Sequence, residues 1–218
     1  VISALLYTNR LDACAFGLRD NSAQGESVSL AGAAEGGAGL GSIFFNPAAI
    51  TQLDGIQAHF NSTLILPDAS LTLKPSSSAN YTNFMGGSSS SGNIGLIGAV
   101  PSAQMTYRLN PDLWLGLSFF VPYGQATKAD PLFVGRTYGS TTRVASAEVE
   151  PIIGYQLNEK LSLGFGLRYL DFSARYSSAV PASSAPSQWS VLGIDGGGQA
   201  FGYSLGMIYK PWAGTDIG

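Results

Sequence analysis

From about residue 55 onward, apolar residues recur at every second position, the period of a β-strand rather than of a helix. Leu113, Leu115, Leu117, Phe119, Val121 and Tyr123 share one face, against Trp114, Gly116, Ser118, Phe120, Pro122 and Gly124. Leu161, Leu163, Phe165, Leu167 and Tyr169 oppose Ser162, Gly164, Gly166 and Arg168 in the same way. So do Phe201, Tyr203, Leu205, Met207 and Tyr209 against Gly202, Ser204, Gly206 and Ile208. Val149, Pro151, Ile153, Tyr155 and Leu157 alternate with Glu148, Glu150, Ile152, Gly154 and Gln156. Two weaker segments run Ile56–Leu66 and Ala99–Leu109. The pattern predicts six strands and an all-β chain.

A soluble sandwich also alternates, so the content of the polar faces has to decide. They hold mainly Gly, Ser, Thr and Gln rather than the Lys and Glu of a solvated sheet. The segments are about ten residues long, the length a tilted strand needs to cross a bilayer. Composition agrees: only 11% of residues are charged, against roughly 25% in ordinary soluble domains. Mean hydropathy is +0.16, yet no apolar run reaches the 18 or more residues of a membrane helix. These features predict a transmembrane antiparallel β-barrel. A net charge of −3 argues against a nucleic-acid partner. One Cys and one His exclude a disulfide scaffold and a Cys- or His-rich metal centre, and no cofactor is implied.

The connections alternate between short and long, as in such barrels. Tyr107-Arg108-Leu109-Asn110-Pro111-Asp112-Leu113 is echoed by Tyr155-Gln156-Leu157-Asn158-Glu159-Lys160-Leu161, and Tyr209 with Lys210-Pro211-Trp212 begins a looser copy. Each predicts a tight turn in which Asn supplies a side-chain hydrogen bond. Outward tyrosines beside it would form an aromatic belt at one membrane interface. Long polar connections are expected over Pro67–Asn93, Ala126–Val144 and Ser177–Gly198.

The first part of the chain alternates poorly. Val1–Tyr7 with Ala13-Cys14-Ala15 reads as the remnant of a secretory signal over 1–15; a lipidated Cys14 is the alternative. Residues 16–54 are rich in Ala, Gly and Ser. Gly37-Ala38-Gly39-Leu40-Gly41 lacks the Lys a phosphate loop requires. Asn46-Pro47-Ala48 predicts a helix start, with Asn as N-cap and Pro at the first helical position, running towards Leu53.

Ser22-Ala23-Gln24-Gly25, Ala31-Gly32-Ala33-Ala34 and Phe44-Phe45-Asn46-Pro47-Ala48, with Val121-Pro122-Tyr123-Gly124 and Gln199–Gly206, resemble the FadL-type outer-membrane transporters of long-chain fatty acids and hydrophobic compounds. The resemblance implies an amino-terminal hatch over 16–54 carrying the Asn46, Pro47, Ala48 motif. It implies that 55–218 supplies six strands, and the start of a seventh at Thr215–Gly218, of a barrel of about fourteen. It also implies passive uptake of hydrophobic small molecules, long-chain fatty acids or aromatic hydrocarbons, through a plugged lumen in the bacterial outer membrane. The partners expected are that ligand and membrane lipid, around a monomeric barrel. A surface receptor or adhesin acting through long loops is the alternative. No Gly-x-Ser-x-Gly elbow is present, and no enzyme activity is expected.

The family's lateral exit lies at a kink in the third strand, and the residues offer a physical reason for one. With Leu109 opposite Leu113, Pro101 falls opposite Val121, and Pro122 opposite Val100. Proline lacks the N–H that a ladder requires, so the hairpin should be weak there, with Gly124 beyond Tyr123 adding freedom to bend. Alternatively both prolines mark the outer rim. Arg108, Glu148, Glu150 and Arg168 project inward by period, to pair with one another or with the plug; attraction of a substrate carboxylate by Arg168 is the other reading. His59 should also face inward and bond to the plug.

Overall fold

The computed structural model describes Leu18 and residues 39–73, 87–182 and 185–218. The signal-like stretch with Cys14, most of the Ala/Gly-rich run and the serine tract Ser76–Ser78 lie outside these residues.

The strands are β1 (Ile56–Ile65), β2 (Ser70–Thr72), β3 (Ser90–Asn93), β4 (Gly98–Asn110), β5 (Leu113–Phe120), β6 (Gly124–Lys128), β7 (Thr141–Asn158), β8 (Leu161–Ala182) and β9 (Ala185–Tyr209). One antiparallel sheet runs β1-β4-β5-β7-β8-β9, with β6 also on β7, while β2 and β3 form a separate small pair. β5 and β6 are one strand interrupted by a bulge. Phe120 pairs with Glu148 and Gly124 with Ala145, so Val121-Pro122-Tyr123 oppose only Ser146 and Ala147. At the chain's end Ile217 bridges antiparallel to Tyr209.

The two tight turns form as their asparagines require. Asn110 Oδ1 accepts from Asp112 N at 3.0 Å, and Asn158 Oδ1 accepts from Lys160 N at 2.9 Å. Tyr107, Tyr155 and Tyr209 lie exposed beside this end of the sheet.

The connections at the other end are shorter than the sequence suggests. Ser177–Gly198 is strand for nearly its whole length, because β8 runs to Ala182 and β9 starts at Ala185. Ala126–Val144 is part β6, part a 3₁₀ turn at Val134–Thr137 and part β7. Pairing satisfies backbone groups whatever the side chains are, so a Ser/Gly tract extends a hairpin once its partner strand is in place.

Burial along the sheet is inverted relative to a water-soluble protein. On β4, Ser102, Gln104 and Thr106 are at most 2% exposed, while Met105 and Tyr107 are 50% and 42% exposed. The same inversion holds on β7 and β8, where Glu150 and Ser162 are buried and Ile153, Leu163 and Phe165 lie outside. The apolar face meets lipid in such an arrangement, and the polar face lines the interior.

Two short 3₁₀ helices, Leu40–Phe44 and Pro47–Gln52, pack against the inward face of the sheet. Leu40, Ile43, Ile50 and Leu53 pack against Trp114 and Ile152 of the wall, and Ala48 and Ala49 against Ile208.

Candidate functional site

The second 3₁₀ helix begins at Asn46, whose side chain accepts from Ala48 N at 3.0 Å, with Pro47 at the first helical position. The same amide donates across to Met207 O of β9 at 3.0 Å, so the cap is also a bolt to the wall. Trp114 Nε1 donates to Leu53 O at 2.7 Å, and Lys210 Nζ donates to Gln52 Oε1.

The wall beneath this helix is cut flat by glycine. Trp114, Gly154, Gly164 and Gly206 are successive partners on one rung across β5, β7, β8 and β9. A Cβ on Gly164 would overlap the backbone of Pro47 and Ala48, and one on Gly206 would overlap Asn46 Oδ1. A Cβ on Gly154 would strike Ile50, and one on Gly116, two rungs away, would lie 2.7 Å from Ile50 Cδ1. In strand interiors glycine marks such close approach. The alternating glycines were visible in the sequence, but their common height was not.

Arg168 stands between wall and plug. Its Nε lies 3.2 Å from Glu150 Oε1 and 3.8 Å from Glu148 Oε1, while its Nη2 donates to Phe44 O of the plug at 3.1 Å. Ser204 donates to Glu150, and Gly166 leaves the room, since a Cβ there would sit 2.5 Å from Ser204 Oγ. Burial and pairing go together: both glutamates are nearly inaccessible, and an isolated carboxylate would not remain charged there. Arg108 is elsewhere, at the turn end, bonded to Asp54 at 2.7 Å and stacked over Trp114 at 4.8 Å. His59 bonds through Nδ1 to Gln104 of the neighbouring strand at 2.9 Å rather than to the plug. Gln104, directly opposite it on β4, satisfies that nitrogen locally.

Between β4 and β5 the ladder stops. Register holds from Arg108/Trp114 to Ala103/Phe119 and goes no further. Gln156 N donates to Asp112 O, and Arg108 N to Gly55 O. Even-numbered residues of β5 and β4 therefore bond away from each other, and odd-numbered ones bond between them. The next bonded rung would be Pro101 with Val121, and Pro101 has no N–H to give. Pro101 stays paired only on its other side, with Ser62 of β1. Contact resumes where Leu96 N donates to Ala126 O and Lys128 N to Ile94 O.

The bulge seals the other flank. Ser146 Oγ accepts from Tyr123 N at 2.9 Å and donates to Tyr123 O at 2.8 Å, tying the bulged strand to β7. Val100, Phe120 and Pro122 line the break and are buried. Leu18 closes it, its N–H donating to Pro122 O at 2.8 Å. Gly124 has no positive φ; what it supplies is space, since a Cβ would lie 2.6 Å from Leu18 Cδ1. Phe44 of the plug meets Phe120 edge-on at 4.5 Å, so plug, break and Arg168 are in contact through one ring. Nothing in the sequence pointed to Leu18 or Ser146, because each acts on a backbone group whose exposure depends on the bulge.

An inverted sheet of bilayer-spanning strands around buried short helices defines a membrane β-barrel wall with an inward plug. The family model described as "Outer membrane protein transport protein (OMPP1/FadL/TodX)" matches residues 4–218, and the chain belongs to that family of the bacterial outer membrane. It is 25% identical over 236 residues to the long-chain fatty acid transport protein of Escherichia coli K12, covering 96% of this chain and 51% of that protein. A putative outer membrane protein of Neisseria meningitidis, NMB0088, is 35% identical over 113 residues, 52% of this chain and 23% of its own length. Two solved structures share the fold. A Pseudomonas aeruginosa FadL homologue gives a TM-score of 0.60 at 18% identity, covering 79% of this chain and 44% of that one. The Ralstonia pickettii toluene transporter TbuX gives 0.51 at 19%, covering 84% and 53%. The chain thus spans about half the length of the fatty acid transporter it matches.

Proposed function

We propose that this protein is a passive outer-membrane channel for hydrophobic small molecules, long-chain fatty acids or aromatic hydrocarbons. The ligand leaves the lumen sideways through the break between β4 and β5. The observation that carries this reading is the interrupted ladder at Pro101 and Pro122, lined by Val100 and Phe120 and closed by Leu18. A ladder is the barrier to lateral passage in a barrel wall, because every rung must break for a molecule to cross. Here the rungs are already missing, and the closing residue, Leu18, makes one backbone hydrogen bond among its described contacts. The route is apolar, as a ligand moving towards lipid requires. The plug, seated on its glycine rung and held by Asn46 and Arg168, blocks the straight path along the barrel axis.

The test is uptake of a fluorescent long-chain fatty acid, and of toluene, by cells carrying the full-length protein. Pro101→Val supplies the N–H missing from the Pro101/Val121 rung and should slow uptake several-fold at equal surface levels. Wild-type rates in that variant would remove the break from the route.

A further inference from the structure

The outward face ends its apolar band at one level on three adjacent strands. Val149 on β7, Tyr169 on β8 and Phe201 on β9 share a rung, and the last two rings meet at 5.2 Å. Beyond them the outward positions become Ala147, Asp171 and Gln199. Six residues, or three outward positions, up from that girdle rung, Ala126, Arg143, Arg175 and Asp195 form a single row across β6, β7, β8 and β9. Lys128, paired with Thr141, is one outward position higher on β6. Alternation is unbroken along β7 from Val149 to Thr141, so these side chains share the lipid-facing side.

Arg143 and Arg175 are directly opposite each other, an arrangement of like charges that is unfavourable in a sheet. Arg175 is bonded to Asp195, Nε to Oδ1 at 2.7 Å, on the side away from Arg143. Asp171 lies lower, against Gln199. Lys128 and Arg143 have no acidic partner among the described residues, and both are exposed. Arg143, Arg175, Ser173 and Asp195, the last paired with Arg175, line one open depression of about 430 Å³. At about 3.3 Å per residue along a strand tilted about 40°, six residues place the arginine row roughly 15 Å above the girdle. That is the headgroup layer, and a long Arg or Lys side chain can lean back towards it. The tight Asn turns are at the opposite end, so this is the extracellular end, facing the outer leaflet.

We propose that Lys128, Arg143 and Arg175 form a site on the outer face of the barrel for the phosphate of an outer-leaflet phosphorylated glycolipid. A guanidinium gives a phosphate two parallel hydrogen bonds. An anion between Arg143 and Arg175 also turns their repulsion into a clamp. The site faces lipid rather than lumen and is independent of the transport reading.

The experiment titrates detergent-solubilised full-length protein with bis-phosphorylated lipid A and, separately, with its dephosphorylated form, and follows binding by native mass spectrometry. Each cation near an anionic headgroup contributes roughly fivefold. Lys128→Gln with Arg143→Gln should therefore weaken phosphorylated lipid A by roughly 25-fold, leave the dephosphorylated form unchanged, and leave fatty acid uptake at wild-type rates. Retention of a heat-modifiable folded band establishes that the variant is intact. Equal binding of both lipids by the wild type, or equal binding by wild type and variant, overturns the site. Displacement of lipid A by millimolar inorganic phosphate overturns the lipid assignment in favour of a free-anion site.

Discussion

Replacing Gly164 by alanine adds one methyl group near the start of β8, and its consequences at plug and wall have opposite signs. In an ordinary strand the change stabilises by roughly 0.5–1 kcal/mol, since glycine loses more freedom on folding than alanine. Here the new Cβ would overlap Ala48 N and the carbonyl carbon of Pro47. Those are backbone atoms of a capped helix and cannot rotate aside. Overpacking of this kind costs about 1–3 kcal/mol, and the cost falls on the plug, which must lift, rather than on the paired strands. The seating equilibrium should shift by about 5- to 150-fold. Hydrogen exchange read by mass spectrometry on the full-length barrel measures it directly. Amides of residues 39–54 should lose protection by that factor, while β7 and β8 stay protected. Gly196→Ala on β9, where a Cβ meets nothing within 4 Å, should leave the plug unchanged. Wild-type exchange over 39–54 in Gly164→Ala would refute the idea that glycines set the seat.

Asn46→Ala removes the cap and the bond to Met207 O together. A loss of about 1–3 kcal/mol of plug docking is expected, visible as faster protease cleavage in the plug with the barrel band intact. Arg168→Leu leaves Glu148 and Glu150 buried without their shared cation. Breaking a buried pair costs about 3–5 kcal/mol, so the urea midpoint of the full-length protein should fall clearly. An unchanged midpoint would mean that Arg168 contributes nothing to the wall.

By itself the sequence determined the class of fold. Alternation with Gly, Ser and Gln on the polar side, and tight turns at Asn110 and Asn158, follow from local chemistry: strand period, turn geometry and the need to face lipid. The capped helix at Asn46 was legible for the same reason. The register of the β4–β5 hairpin could be read as far as Ala103 and Phe119, because a tight turn fixes the register of its own hairpin. What the sequence could not say is which elements meet across the chain. The common rung of Gly154, Gly164 and Gly206, and the reach of Arg168 to Phe44, depend on stagger between strands that no turn alone sets. The same is true of Leu18 closing the break and of the row from Arg143 to Asp195. The long extension of β8 and β9 was read as loop because Ser and Gly carry little strand preference. Tertiary pairing supplied their backbone partners and made that preference irrelevant. A period is a property of neighbours in sequence, whereas a seat, a break and a row are distances between strands, and only the assembled sheet decides those.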